Sequence, residues 1–224
     1  MRGTEKIYVY NNDIRLESEL FQSSIENLPI ATLICHPHPQ FFGIWVPKKG
    51  NYGGNMHNNV VSSIFNTFIQ NSVSCLRFNF RGVGSSGGNH SNGEGELSDT
   101  KACVDFLVNE KKFEKILIYG YSYGAAIGCS AVNYSKKIIA FCAISFPWDF
   151  MGLEYKTLSQ SEKPKLFIQG NRDTLAIYEN FEKHYNFYLE PKKYRIINGA
   201  DHFFSGFEQE VAEAAYKFYR SLIY

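Results

Sequence analysis

Ser122 stands in Gly120-Tyr121-Ser122-Tyr123-Gly124, directly after the apolar run Ile116-Leu117-Ile118-Tyr119 and directly before the small residues Ala125 and Ala126. A strand that turns sharply into a helix needs glycine on both sides of the turning residue, where backbones approach too closely for a side chain. Such a turn lifts a serine hydroxyl above the sheet and sets it at the positive end of the following helix. Ordinary turns carry the same residue types, so the partners decide. A serine hydroxyl attacks a carbonyl only when a base takes its proton and an acid orients that base. On strand–turn–helix scaffolds of this kind the chain order is Ser, then Asp or Glu, then His. Here the run Lys165-Leu166-Phe167-Ile168-Gln169-Gly170 ends in Asn171-Arg172-Asp173, and Tyr194-Arg195-Ile196-Ile197 leads to Asp201-His202. Both residues then fall beyond the carboxyl ends of strands, where open α/β sheets build their sites.

Each has a plainer explanation taken alone: Asp173 as a turn or helix-capping residue, His202 as a loop histidine. Three placements in the right order along one sheet edge favour a Ser122–His202–Asp173 triad for acyl transfer. Asp149 is the competing acid, because it also follows a strand end. Asp201 adjoins the histidine, and adjacent residues seldom orient one another's rings. The oxyanion of such a reaction needs two backbone N–H groups, one from the residue after the serine, Tyr123. The second comes from the loop after an early strand, here His36-Pro37-His38-Pro39. Proline has no N–H, so His38 is the donor inside that segment and Gln40 the fallback. A metal reading of His36-x-His38 is weak, since carboxylate ligands are missing nearby, and neither a metal nor an organic cofactor is needed.

The elements that must carry these residues alternate. Strands are expected at 5–10 and 14–20 (turned at Asn11-Asn12-Asp13), 30–35, 73–80, 115–119, 137–145, 165–169 and 193–197. Helices are expected near 57–70, 96–109, 123–133, 177–187 and 208–222, the last opened by a Ser205/Glu208 capping box. Continuous apolar strands alternating with helices predict a mostly parallel sheet covered on both faces, in one domain over 1–224. The connection 146–164 is too short for a large cap domain, which predicts an open site. A hydrophobic share of 44% excludes a disordered chain, and a formal net charge of +1 gives no reason to expect nucleic acid or an anionic membrane as partner. Five cysteines without a CxxC pair read as free buried thiols. No apolar run reaches membrane-spanning length and the first residues lack a signal-peptide core, so the expected location is cytoplasmic.

Several stretches together resemble the α/β-hydrolase superfamily, and more narrowly its small, lidless dienelactone-hydrolase-like branch with a His-Pro-His-Pro segment. They are Cys35-His36-Pro37-His38-Pro39, the run from Tyr52 to Val61, Leu76-Arg77-Phe78-Asn79-Phe80-Arg81-Gly82-Val83-Gly84-Ser85-Ser86-Gly87, the Ser122 turn and Gly199-Ala200-Asp201-His202-Phe203-Phe204. The resemblance implies an α/β-hydrolase fold from about residue 30 onward, with the Arg81-Gly82-Val83-Gly84 turn as a buttress beside the site. It does not imply a substrate. One departure is the apolar, aromatic stretch from Gln40 to Gly50, where members of the branch pass quickly to Gly-Gly. Phe41, Phe42 and Trp45 are candidates for an acyl-side wall or a small lid, against the plainer view of a surface excursion.

The resulting expectation is a serine hydrolase of carboxylesterase or thioesterase type acting on a small-molecule acyl substrate. Peptidase or acyltransferase chemistry through the same acyl-enzyme is an alternative, as is a non-catalytic binding or scaffold protein on the same fold. Oligomeric state is not legible from the sequence.

Overall fold

Side chains alternate along the central strand β7 (Lys115–Tyr121) and divide the core into two layers. Ile116 and Ile118 pack on one face; Leu117, Tyr119 and Tyr121 pack on the other. Both faces are covered, which is why the strand reads as an unbroken apolar run rather than an alternating one. The computed structural model describes residues 3–24, 29–41, 44–45 and 53–223, with backbone alone at 40–41 and 44–45.

The other strands are β1 (Glu5–Asn11), β2 (Ile14–Phe21), β3 (Ile30–Cys35), β4 (Gln40–Phe41), β5 (Ile44–Trp45), β6 (Ser74–Phe78), β8 (Ile138–Ile144), β9 (Lys165–Gly170) and β10 (Lys192–Ile197). Eight of them form one sheet in the order β1-β2-β6-β3-β7-β8-β9-β10, while β4 and β5 pair separately. Neighbours from β6 to β10 run parallel, and β2 is antiparallel to both β1 and β6. Helices α1 (Asn59–Gln70) and α6 (Glu208–Arg220) cover one face through Val60, Ile64, Phe65 and Phe68 and through Val211, Ala215 and Phe218. The other face is covered by α2 (Glu94–Asp105), α3 (Tyr123–Cys129), α4 (Trp148–Leu158) and α5 (Phe181–Phe187).

Three expectations change. The connection between β8 and β9, where no helix is placed above, holds α4, broken at Gly152 by a positive φ of 73°. The second helix starts at Glu94, two residues early, and after Asp105 continues as a π-helical turn to Glu110. The Ser205/Glu208 capping box does not form. Phe207 occupies the cap without a side-chain bond, and Glu208 instead accepts from the Gly206 N–H (2.9 Å) and from Asn59 Nδ2 on α1 (2.9 Å). Tertiary contact with α1 thus outcompetes the local cap. All five cysteines are free and buried, and no helix among the described residues is long and apolar enough to cross a membrane.

Arg77 on β6 ties β2 to α1 and to the loop before it. Its guanidinium donates to Glu19 Oε2 (2.9 and 2.6 Å), to the Met56 carbonyl (3.1 Å) and to Ser62 Oγ (3.0 Å), and lies over the Phe65 ring. Removing one partner of a buried pair strands the other charge. Arg77→Ala should therefore lower unfolding stability by about 3–5 kcal/mol in urea denaturation, and a loss below about 1 kcal/mol would contradict this account.

Candidate active site

Ser122 has φ 54° and ψ −119°, a backbone conformation that L side chains rarely adopt. Such a residue carries about 1–3 kcal/mol of strain and persists only where its surroundings fix it. Its N–H donates to the Ile144 carbonyl (2.8 Å), and its own carbonyl accepts from Ala125 (2.9 Å) and Ala126 (3.2 Å). Glycine is required on both sides: a β-carbon at Gly120 would strike the Gly124 carbonyl, and one at Gly124 would strike the carbonyl of Cys35 at the end of β3. The sharp strand-to-helix turn expected at Ser122 is present.

Ser122 Oγ lies 2.8 Å from His202 Nε2, and His202 Nδ1 lies 3.0 and 2.9 Å from the two oxygens of Asp173. The carboxylate accepts, so Nδ1 carries the proton and Nε2 is left to accept from the serine hydroxyl. Asp173 Oδ1 also accepts the N–H groups of Leu175 (2.9 Å) and Ala176 (2.8 Å), which fixes its plane. Relative exposures are 9% for Ser122, 7% for His202 and 1% for Asp173, so the acid is sealed while the serine keeps a small opening. The loops after β9 and β10 are stitched together by Arg172 N–H to the Ala200 carbonyl (2.9 Å) and Gly199 N–H to Asn171 Oδ1 (2.6 Å).

Sequence reasoning missed Tyr121. Its hydroxyl donates to the His202 carbonyl (2.7 Å), so the residue before the serine also holds the histidine loop. The available signal was a tyrosine inside a buried strand, because a buried phenol normally finds an acceptor. The competing acid Asp149 is elsewhere: its carboxylate accepts from Asn180 Nδ2 (3.1 Å) and faces His184 Nε2 (3.1 Å). Asp201 caps its own loop through the Phe203 N–H (2.9 Å).

The residues expected to flank the oxyanion, His38 and Tyr123, lie against each other with ring centroids 4.8 Å apart. Arg81 is held by Asp99 through Nε (3.0 Å) and Nη2 (2.7 Å), as a buttress would be. Phe42 lies outside the described residues, and so do the side chains of Gln40, Phe41 and Trp45, whose backbones pair Gln40 with Trp45 in β4 and β5. No group of three or more metal-ligating side chains occurs among the described residues.

A mostly parallel sheet with a serine on the β7–α3 turn, and an aspartate and a histidine beyond neighbouring strands, is the α/β-hydrolase fold. The chain belongs to the alpha/beta hydrolase domain family, whose model matches residues 51–218. The uncharacterized protein RP471 of Rickettsia prowazekii (strain Madrid E) is 33% identical over 216 residues, which cover 93% of this chain and 86% of the relative. An alpha-beta serine hydrolase homologue from Coxiella burnetii superposes with a TM-score of 0.81 at 28% identity, over 97% of each chain. XC6422 from Xanthomonas campestris, an a/b serine hydrolase without lid, shares the fold with a TM-score of 0.79 at 21% identity, over 98% of this chain and 94% of that one.

His36 is neither ligand nor base. Its Nδ1–H donates to the Pro37 carbonyl (2.6 Å) and its Nε2 accepts the Phe80 N–H (3.0 Å), tying the loop after β3 to the chain leaving β6. Burial, opposed in part by the Pro37 bond, pushes its pKa down from 6.5 to about 4. The unfolded chain therefore binds a proton near pH 6.5 that the folded protein refuses until about pH 4. Stability from this group is full above pH 6.5 and declines as pH falls towards 4, by roughly 3 kcal/mol. Urea midpoints measured across that window should fall less steeply in His36→Gln than in the unsubstituted protein. Parallel curves would remove His36 as the cause.

Proposed function

We propose that the protein is a serine hydrolase that cleaves a small ester or thioester through an acyl-enzyme. The observation that carries this reading is the hydrogen-bonded line from Ser122 Oγ through His202 to Asp173, which starts on a strained turn. Ser122 Oγ forms a bond to the acyl carbon as its proton passes to His202 Nε2. The backbone N–H groups of Tyr123 and His38 receive the oxyanion. The bond to the leaving alcohol or thiol then breaks, and that group departs with the proton. Water gives a proton to His202 and attacks the acyl-enzyme; the acid leaves and Ser122 Oγ is reprotonated. Asp173 keeps Nδ1 protonated and favours the imidazolium that forms twice in the cycle.

The His-Pro-His-Pro segment supports a place in the lidless dienelactone-hydrolase-like branch. The short, kinked helical stretch between β8 and β9 supports an open site suited to small or exposed esters. Dienelactone chemistry itself is not implied, since those enzymes use cysteine where this chain has Ser122. The aromatic stretch of Phe41, Phe42 and Trp45 is assigned to the acyl side.

Hydrolysis of p-nitrophenyl esters from acetate to decanoate tests the reaction. Turnover should fall roughly a million-fold in Ser122→Ala, and a fluorophosphonate should label the unsubstituted protein but not the variant. Labelling and turnover both absent from the unsubstituted protein would replace this reading with a binding or scaffold role. Deleting residues 41–49 should shift the preferred acyl length, whereas an unchanged profile would remove the aromatic stretch from the acyl pocket.

A further inference from the structure

Glu96, in the first turn of α2, is fully buried. Its carboxylate accepts the Ser91 N–H (2.9 Å), the Ser91 hydroxyl (3.0 Å) and the Gly93 N–H (2.8 Å). Burial opposes the charge, but these backbone donors outweigh it and hold the carboxyl below its ordinary value. His90 Nδ1 lies 2.8 Å from Glu96 Oε1, a short contact poorly aligned for a hydrogen bond. A bare nitrogen lone pair at that distance from a carboxylate would be repelled, so Nδ1 carries the proton and Nε2 is left as an acceptor. His90 Nε2 faces His38 Nε2 at 3.2 Å, which makes His38 the donor.

The three rings of His38, His90 and Tyr123 touch one another, with centroids 4.7 Å (His38–His90), 4.8 Å (His38–Tyr123) and 5.7 Å (His90–Tyr123) apart. The Tyr123 hydroxyl is buried beside Glu96 without a well-formed hydrogen bond, and burial followed by the Glu96 charge raises its pKa, so it stays neutral. Pro37 and Pro39 lack the N–H donor of an ordinary residue, and the two histidine side chains help to hold the His36–Pro39 segment. His36 is bound by Phe80 and His38 by His90, both from the chain after β6.

We propose that Glu96 and His90 are positioning residues for the oxyanion hole. Through His38 and Tyr123 they fix the spacing between the His36–Pro39 loop and the Ser122 turn, where the two oxyanion N–H groups are assigned. The inference rests on the acyl-transfer reading above. Glu96 sets the His90 tautomer, and His90 in turn holds His38.

The test is p-nitrophenyl ester kinetics for His90→Phe and His90→Gln, with kcat expressed per fluorophosphonate-titrated site so that misfolded protein does not count. Phenylalanine keeps a ring against Tyr123 but cannot accept from His38. In that variant kcat per titrated site should fall roughly 10- to 100-fold, with KM held within about twofold. The glutamine carbonyl can accept, and His90→Gln should recover most of the loss. A kcat per site in His90→Phe within about twofold of the unsubstituted enzyme overturns the proposal, as does glutamine no better than phenylalanine. If His90→Phe does not fold, Glu96→Gln carries the test: it removes the charge that sets the tautomer, so kcat per site should drop, and an unchanged value overturns the inference. An unsubstituted protein that neither labels nor turns over fails the acyl-transfer reading first and this inference with it. Turnover that is lost in Ser122→Ala but indifferent to His90 fails this inference alone.

Discussion

The close packing of three backbones (the end of β3, the turn at Ser122 and the start of α3) is the constraint on which the rest of the site depends. Ser122 holds a positive φ only because the Ile144 carbonyl on β8 takes its N–H and the first turn of α3 takes its carbonyl. The turn then needs α3 to sit within backbone contact of β3, and Gly124 is the residue that permits it. Gly128 lies one turn further along the same helix, against the Cys35 side chain. A larger residue at either place would move the serine away from a histidine whose own position is set by different strands.

The loops at the carboxyl ends of the strands have little regular secondary structure, so buried side chains satisfy their backbone groups. Asn79 Oδ1 accepts the Met56 N–H (2.8 Å), while Asn79 Nδ2 (2.8 Å) and the Ser85 N–H (2.7 Å) both donate to Glu17 Oε2. Asp99 accepts from Arg81 and also from Asn11 Nδ2 (2.8 Å). Glu17, Glu19 and Asn11 all belong to the β1–β2 hairpin. That hairpin thereby extends the sheet and also anchors the loop that carries Arg81 and His90.

Residue type alone does not bring a carboxylate, an imidazole and a hydroxyl together at one sheet edge. Asp149, His184 and Lys156 form a second carboxylate–imidazole–amine line, with His184 Nδ1 accepting from Lys156 Nζ (3.0 Å) and the ring stacked on Trp148 at 5.1 Å. Burial, followed by the neighbouring Lys156 among other charges, keeps the His184 pKa down despite Asp149. The line joins α4 to α5 and presents no nucleophile on a strained turn. Asp173 and His202 differ from it because they leave parallel strands at the same sheet edge as Ser122.

The alternation of apolar strands and amphipathic helices, the glycines around Ser122 and the order Ser122, Asp173, His202 were legible in the sequence. They express local rules: side-chain period, steric room and chain order, each readable from neighbours along the chain. What needed the folded chain were the choices between equivalent residues. Asp173 rather than Asp149 meets His202 because β9 and β10 are adjacent and their loops share hydrogen bonds. Glu208 leaves its expected cap for Asn59 because α1 and α6 pack side by side. Tyr121 and His90 carry no motif; their partners stand 81 and 52 residues away at His202 and His38. A hydrogen bond of 3 Å between distant positions is fixed only when the sheet sets its register, and no pattern along the chain encodes that distance.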